Sequence, residues 1–217
     1  MNFVETFNPT VYPVLATVLG YLLGSLSFAV IVSRVMGLSD PRTYGSKNPG
    51  ATNVLRSGSK AAAAATLLLD ALKAFIPMVL LRLYGDKLGL ADGTLALVGL
   101  AAFLGHLFPV FFRFAGGKGV ATALGVLLGI SGWLGLACGI VWFLMARVFR
   151  YSSLAALAAA VLAPVIYLLG DGTGWYADNR LAAVLVIMAA LLLWRHSANI
   201  ARLLQGTEPR IGQKKSG

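Results

Sequence analysis

The chain has 217 residues, of which 58% are hydrophobic and only 12% are charged. A soluble domain carries about 25% charged residues, so this composition excludes an ordinary water-soluble fold and indicates an integral membrane protein built as one bundle. The net charge of +10 comes from basic residues scattered through short segments. This distribution indicates residues that set the membrane topology or bind small anions, and it argues against a nucleic-acid-binding surface.

The apolar runs are continuous rather than alternating in polarity, which favours membrane-spanning helices. The first run covers residues 11–33, too long for the hydrophobic region of a signal peptide, and Glu5 stands where such a peptide carries basic residues. We therefore predict a first transmembrane helix there. Further apolar runs cover residues 61–81, 94–112, 119–146, 153–170 and 181–194.

The run at 119–146 would form a helix of about 42 Å, against a hydrocarbon core of about 30 Å, and Ser131-Gly132 offers a break. As one helix, it would divide the basic residues almost equally between the two sides. As a hairpin, it leaves only Arg82, Lys87 and Arg180 outside and Lys73 within a span, with 14 of the 18 lysines and arginines in the cytoplasm.

Because positive charge concentrates on the cytoplasmic side, the hairpin is favoured. The sequence thus predicts an all-α polytopic membrane helix bundle with seven transmembrane helices, the N-terminus outside and the C-terminus cytoplasmic. The predicted spans are residues 11–33, 61–81, 94–112, 119–130, 134–149, 153–170 and 181–200, in a single domain covering residues 1–217.

This topology places four polar segments on the cytoplasmic face: YGSKNPGATNVLR (44–56), FAGGKGVAT (114–122), RYSSL (150–154) and WRHSANIARLLQGTEP (194–209). In the second, Gly116, Gly117 and Gly119 surround Lys118 ahead of a helix. Exposed N–H groups, a helix start and a lysine together favour phosphate binding, although the spacing of a Walker A loop is absent. The alternative is a flexible turn with a lysine reaching the interface.

Donors for an anion are also dense in the first segment. Ser46, Asn48, Asn53 and Arg56 are candidates, and Arg56 is favoured because a guanidinium binds phosphate bidentately. Asn53, or Thr52 beside it, can instead cap the next helix. In the third segment, one serine of Ser152-Ser153 is expected to be a helix N-cap.

In the last segment, His196 and Asn199 are three residues apart and should share a helix face, unless these polar residues are only interfacial anchors. Within the spans, Asp70 and Lys73 would each cost about 2.5–3.5 kcal/mol at the bilayer centre, so we predict a structural ion pair facing the interior. His106 is either functional or bonded to a neighbouring helix.

Glycine pairs spaced four apart predict close helix packing at Gly20/Gly24, Gly125/Gly129 and Gly135/Gly139. No carboxylate pair or His/Cys cluster has metal-ligand spacing, so no metal or other cofactor is predicted. The lone Cys138 lies in an apolar run, which argues against a role in thiol chemistry.

The segments together resemble a known family in their order along the chain. The stretches YLLGSLSFAVIVSR, GSKNPGATNVLR, LLLDALK, GHLFPVFFRFAGGKGVAT, RYSSL, RHSANI and GTEP are similar to those of bacterial acyl-phosphate:glycerol-3-phosphate acyltransferases. The resemblance implies a seven-helix fold in the inner membrane, with the active site facing the cytoplasm. It also implies transfer of a fatty acyl group from acyl phosphate to glycerol 3-phosphate, giving lysophosphatidic acid, the first step of phospholipid synthesis. A soluble partner that makes acyl phosphate would fit this activity.

The resemblance also implies site residues. The implied catalytic set is Ser46, Arg56, Lys118, Ser153, His196 and Asn199; residues 116–119 would bind the phosphate of glycerol 3-phosphate, and Glu208 would be structural. The proton acceptor is either His196 or the substrate's own phosphate.

Three residues depart from the family pattern: Lys47 replaces a glycine, Pro49 replaces a small aliphatic residue, and Ala115 replaces a lysine. A residue other than glycine at position 47 either tolerates a positive φ or shifts the loop. Two alternatives to an enzyme are a transporter for a phosphorylated metabolite and a structural scaffold. Polar groups gathered at one face and the absence of an internal repeat argue against the transporter, and the one-sided polar segments argue against the scaffold.

Overall fold

A computed structural model describes residues 11–90 and 92–213 of the chain, so Glu5 and the tail lysines at 214 and 215 lie outside the described residues. Helices dominate this part, and no β-strand forms in it. The helices are α1 (Val11–Gly24), α2 (Phe28–Val35), α3 (Ala51–Val54), α4 (Lys60–Tyr84), α5 (Asp92–Leu107), α6 (Val120–Ile130), α7 (Gly132–Phe149), α8 (Ser152–Leu169), α9 (Asn179–Arg195) and α10 (Ser197–Leu204). The all-α prediction is confirmed.

Several of these helices are long and apolar enough to cross a membrane. By length and composition there are four, namely α4, α5 continued through Phe112, α7 and α8, or up to six if each of two bent pairs forms one span. The pairs are α1 with α2, bent by 45°, and α9 with α10, bent by 61°. The eleven-residue α6 is too short to qualify by itself, so the count of seven stays a prediction.

The break predicted at Ser131-Gly132 is present. Ser131 has an extended backbone between α6 and α7, and these two helices pack against each other. Arg82 of α4 donates to the carbonyls of Gly129 (3.3 Å) and Ile130 (2.9 Å), which satisfies the exposed C-terminal end of α6.

The first predicted span is not one straight helix, because the chain bends between α1 and α2. Ser25 Oγ donates to the carbonyl of Tyr21 (2.8 Å), and the Leu26 carbonyl, freed from helical bonding, accepts from Lys73 of α4 (2.7 Å). The apolar run therefore covers two helices whose junction carries a buried polar contact.

Small residues let the helices approach closely. A Cβ on Gly24 would lie 2.1 Å from the Ala102 carbonyl oxygen of α5, and one on Gly125 would lie 2.1 Å from the Ala71 carbonyl oxygen of α4. A Cβ on Gly129 or Gly135 would lie 2.4 Å from its nearest neighbour and one on Gly20 would lie 3.0 Å from Val98, which confirms the packing prediction for these glycines. It is wrong for Gly139, where nothing lies within 4 Å of such a Cβ, since this residue faces outward from α7.

The core lies between α4, α5 and α6, where Met78, Phe103 and Val126 are fully buried. Large apolar side chains point outward instead on the surrounding helices, for example Trp133 and Phe143 of α7. An apolar exterior of this kind suits contact with lipid tails.

Candidate active site

The four polar segments meet at one end of the bundle. Arg195 at the end of α9 donates to the Gly117 carbonyl (3.1 Å), and a Cβ on Gly117 would lie 2.9 Å from the Pro49 carbonyl oxygen of the first segment. Arg210, directly after the last segment, donates to the hydroxyl of Tyr151 (3.2 Å) in the third. The predicted convergence on one face is therefore present in the fold.

The glycine loop at 116–119 is braced from both sides. Arg195 also donates to the Gly116 carbonyl (2.8 Å), and the Gly117 N–H donates to the His106 carbonyl (3.1 Å). Gly119 adopts φ +84 and packs on Phe103, where a Cβ would lie only 2.3 Å away. Glycine is required there for both reasons.

This bracing changes the expected role of Gly117. Its N–H is already bonded to His106, so it does not point at a ligand as predicted. The N–H groups of Gly116, Lys118 and Gly119 have no acceptor among residues 11–90 and 92–213. These three donors lie just ahead of α6, where a helix start favours an anion.

Lys118 is half-buried, and its ammonium donates to Asn199 Oδ1 of α10. Burial lowers the pKa of Lys118 to about 8; the Glu208 carboxylate opposes this shift, whereas Arg202, Arg56 and Arg195 add to it. Lys118 and Arg56 therefore share one electrostatic environment at the same end of the bundle.

The first segment is held in shape by Asn53. Its buried amide donates to the carbonyls of Pro41 (2.6 Å) and Tyr44 (3.2 Å), and its Oδ1 accepts from the Ser46 N–H (3.0 Å). The expected phosphate contact from Asn53 is thus replaced by a structural role, and its side chain does not cap α3. Ser46 is left exposed at the surface of the loop.

Two other features of this segment bear on function. Arg56 is exposed, and its guanidinium has one long contact of 3.4 Å to Asn53, which leaves it open to a ligand. Lys47 adopts φ +56, so this residue tolerates the positive φ that a glycine would favour. Asn48 is half-buried beside Gly50.

Glu208 ties the third segment to the last. It accepts from Ser153 Oγ (2.7 Å), Asn199 Nδ2 (2.6 Å) and Arg202 Nε (2.7 Å). Burial works against its charge, but the three hydrogen bonds outweigh burial and hold the pKa of the Glu208 carboxyl below its usual value. Neither Ser152 nor Ser153 caps α8, so the expected N-cap role is wrong.

His196 lies at the bend between α9 and α10 and is almost fully buried. Its Nδ1 is 2.8 Å from the Leu192 carbonyl, so Nδ1 carries the proton and Nε2 the lone pair in the neutral ring. The bend separates Arg195 from α10, which is why Arg195 reaches the glycine loop while Asn199 reaches Lys118.

Beneath the glycine loop lies a buried polar cluster. Lys73 Nζ contacts Asp70 Oδ1 (2.8 Å) and His106 Nδ1 (2.9 Å), in addition to the Leu26 carbonyl. The predicted pair thus faces the interior, and His106 is bonded to a neighbouring helix. The other side of the His106 ring supports the loop, because a Cβ on Gly117 would lie 2.2 Å from its Nε2.

Arg195 is the main site residue that the predicted catalytic and phosphate-binding sets leave out. A basic residue directly before His196 was a usable signal, but only the bend shows that it faces the loop. In the described part of the chain, no group of three or more His, Cys, Asp or Glu side chains could hold a metal ion.

Known proteins are similar to this chain over nearly its whole length. The sequence profile of the family described as glycerol-3-phosphate acyltransferase matches residues 14–206. A glycerol-3-phosphate acyltransferase of Albidiferax ferrireducens is 64% identical over 98% of this chain and 95% of its own length. One of Bordetella petrii is 61% identical over 91% of this chain and 92% of its own length.

Two crystal structures of PlsY (YgiH), an integral membrane glycerol 3-phosphate acyltransferase, share the fold. The glycerol 3-phosphate form superposes with a TM-score of 0.83 at 37% identity, covering 93% of this chain and 96% of that one. The lysophosphatidic acid form gives 0.81 at 36% identity, with the same coverage. With its sequence and its fold in agreement, the chain belongs to the glycerol-3-phosphate acyltransferase family.

Proposed function

We propose that this protein transfers a fatty acyl group from acyl phosphate to the 1-hydroxyl of sn-glycerol 3-phosphate. The products are lysophosphatidic acid and phosphate. One observation carries the proposal: Lys118, three unpaired N–H groups and Arg56 lie together at one end of the bundle. Family membership supports glycerol 3-phosphate as the acceptor, and the sequence resemblance implies acyl phosphate as the donor.

An acyl phosphate is a mixed anhydride, so its carbonyl is already activated toward attack. The substrate hydroxyl oxygen forms the new bond to the carbonyl carbon, and the bond to the phosphate oxygen breaks, with phosphate taking the electron pair. The protein therefore needs to bring two anionic reactants together and stabilise the developing charge. A cationic, donor-rich pocket is suited to this task.

The contacts suggest a division of labour. Lys118, with the N–H groups beside it, holds the phosphate of glycerol 3-phosphate, while exposed Arg56 and Ser46 contact the reactants at the pocket mouth. Asn199 orients Lys118. Ser153 acts through Glu208, which in turn holds Asn199, so Ser153 is a positioning residue.

The proton of the attacking hydroxyl passes to the substrate's own phosphate in this proposal. That phosphate is mostly a dianion at neutral pH, since its second pKa is about 6. His196 is the alternative acceptor, and only its Nε2 is available for that role. The acidic limb of the pH profile distinguishes the substrate phosphate from His196 as the proton acceptor.

We also propose that the site faces the cytoplasm from the inner membrane. The asymmetry of lysine and arginine supports this orientation, because within residues 11–90 and 92–213 only Arg82, Lys87 and Arg180 lie toward the opposite end.

A direct assay tests the proposed function. Purified protein in lipid vesicles is given glycerol 3-phosphate with acyl phosphate, acyl-CoA or acyl carrier protein in turn, and lysophosphatidic acid is measured. We expect product with acyl phosphate alone, and almost none from Lys118→Ala or Arg56→Ala. If lysophosphatidic acid forms only with acyl-CoA, acyl phosphate is not the donor. Uptake of labelled glycerol 3-phosphate into the vesicles without product would indicate a transporter.

A further inference from the structure

A cavity with a volume of about 330 Å³ lies beside the glycine loop. It is lined by Arg42, Lys47, Pro49, Phe114, Ala115, Gly116 and Arg195. Three of these residues are cations, and Lys118 is not among them. The cavity is thus a positively charged space that adjoins the glycine loop through Gly116 and Arg195.

The three cations differ in how far they are neutralised. Arg42 forms an ion pair with Asp40 (2.6 Å), and Arg195 is bonded to the loop carbonyls. The Lys47 ammonium has no hydrogen bond or ion pair within residues 11–90 and 92–213. Its full charge is therefore available to a ligand in the cavity.

The backbone conformation at position 47 makes a lysine unexpected there. With φ +56, this position suits glycine, because an L side chain in the left-handed region is disfavoured. The chain nevertheless places a cation here, on the rim of a positively charged cavity.

The remaining wall of the cavity is apolar. Pro49, Phe114 and Ala115 line it, and Phe114 is 59% exposed. Phe111, only three residues earlier, is 58% exposed. Cations beside exposed aromatic side chains suit a ligand that carries a phosphate on an apolar tail.

We propose that this cavity binds the phosphate of the acyl donor and that Lys47 is its principal cation. The inference rests on the proposed function, which requires two phosphate-bearing reactants and so far assigns a site to only one. Arg195, which reaches both the loop and the cavity, would lie between the two phosphates and reduce their repulsion. The same cations would stabilise phosphate as it leaves.

Steady-state kinetics of Lys47→Gly test the proposal. This change removes the charge and relieves the positive φ, so it should not harm folding. We expect the KM for acyl phosphate to rise about tenfold, as for the loss of a ~1.4 kcal/mol charged contact, with the KM for glycerol 3-phosphate unchanged. Lys47→Arg keeps the charge and should stay within about twofold of wild type.

Arg113→Gly is the matched control. Arg113 is also an exposed cation with positive φ, at +53, yet it does not line the cavity. We expect its kinetics to match wild type. An equal effect of both glycine variants, or an unchanged KM for acyl phosphate in Lys47→Gly, would overturn the proposal, as would a rise confined to glycerol 3-phosphate.

The experiment must also distinguish acyl phosphate from an anionic lipid, because a lipid headgroup carries a phosphate that the same cations could bind. The assays are run in vesicles of neutral phosphatidylcholine, with and without phosphatidylglycerol. We expect the effect of Lys47→Gly in both, and an effect that needs anionic lipid would assign the cavity to a headgroup instead. If wild type makes no lysophosphatidic acid from acyl phosphate, the proposed function fails, which is a different result from an unaltered KM.

Discussion

Lys118 keeps its charge available because its hydrogen-bond partner is the neutral amide of Asn199 rather than a carboxylate. The nearby acid, Glu208, is instead paired with Arg202 and bonded to Ser153. Glu208 thus orients its neighbours, and Lys118 stays free to bind an anion. Without a carboxylate partner, the half-buried Lys118 ammonium has a lowered pKa.

A pH profile of kcat/KM tests this arrangement. With its pKa lowered to about 8, Lys118 is charged below that pH and loses its proton as the pH rises through it. Binding of the substrate phosphate should therefore weaken above pH 8. On the acidic side, activity should fall near pH 6 as the substrate phosphate, acting as proton acceptor, becomes protonated.

Two variants separate the limbs of this profile. Lys118→Arg stays charged up to about pH 12 and should move only the alkaline limb upward. His196→Ala should lower activity but leave the acidic limb in place. An alkaline limb that does not move in the arginine variant argues against Lys118 as its origin, and loss of the acidic limb without His196 would identify the histidine as the base.

Sequence alone could identify many of these residues but not their contacts. The glycines around Lys118 carry a local signal, since backbone exposure and a cation occur together within a few residues. The bond from Ser153 to Glu208 joins residues 55 apart, and that from Arg195 to Gly116 joins residues 79 apart. Local patterns contain no information about such pairs, so the expectation of a helix cap at Ser152-Ser153 missed the bond to Glu208, and nothing placed Arg195 at the glycine loop.

Among the elements, the two bent helix pairs have the clearest consequences. The break after α1 exposes the Leu26 carbonyl to Lys73, and the bend at His196 turns α10 toward Lys118. The length of the apolar runs predicted a span at residues 11–33 and another at 181–200. It could not predict the bend in either, because the hydropathy of a segment does not change when the helix axis changes direction. The Ser131-Gly132 break was predictable because the run was too long for a single crossing.

Packing at the glycines gives a test at this scale. In Gly24→Ala the new Cβ would meet the Ala102 carbonyl at 2.1 Å, so α1 and α5 must move apart. We expect a loss of about 1–3 kcal/mol in unfolding free energy, seen as a lower Tm in detergent.

Gly139→Ala is the control for that experiment. This glycine is also inside a helix, but the added methyl meets nothing within 4 Å. Since alanine is the better helix former, we expect stability unchanged or raised by about 0.5–1 kcal/mol. Equal destabilisation by both changes would show that α1 and α5 are not in the close contact described.

In the whole molecule, the two ends of the bundle differ in chemistry. One end gathers the glycine loop, Arg56 and the segment after α10, while the other has the Asp178–Arg180 ion pair and the turn between α6 and α7. Arg150, at the end of α7, donates to the Ile211 carbonyl (3.0 Å) at the site end. The chain thus leaves that end at Lys118 and returns to it by Arg150, which supports two crossings by α6 and α7.

Cysteine labelling tests this topology. In a Cys138→Ala background, exposed positions Ser57, Tyr176 and Leu204 are changed to cysteine one at a time, and spheroplasts are treated with a membrane-impermeant maleimide. Two crossings by α6 and α7 place Ser57 and Leu204 on the cytoplasmic side, so both should react only after permeabilisation, whereas Tyr176→Cys should react at once. A single crossing would put Ser57 and Leu204 on opposite sides of the membrane. In that case the four polar segments could not share one aqueous compartment, and the site built from them would be ruled out.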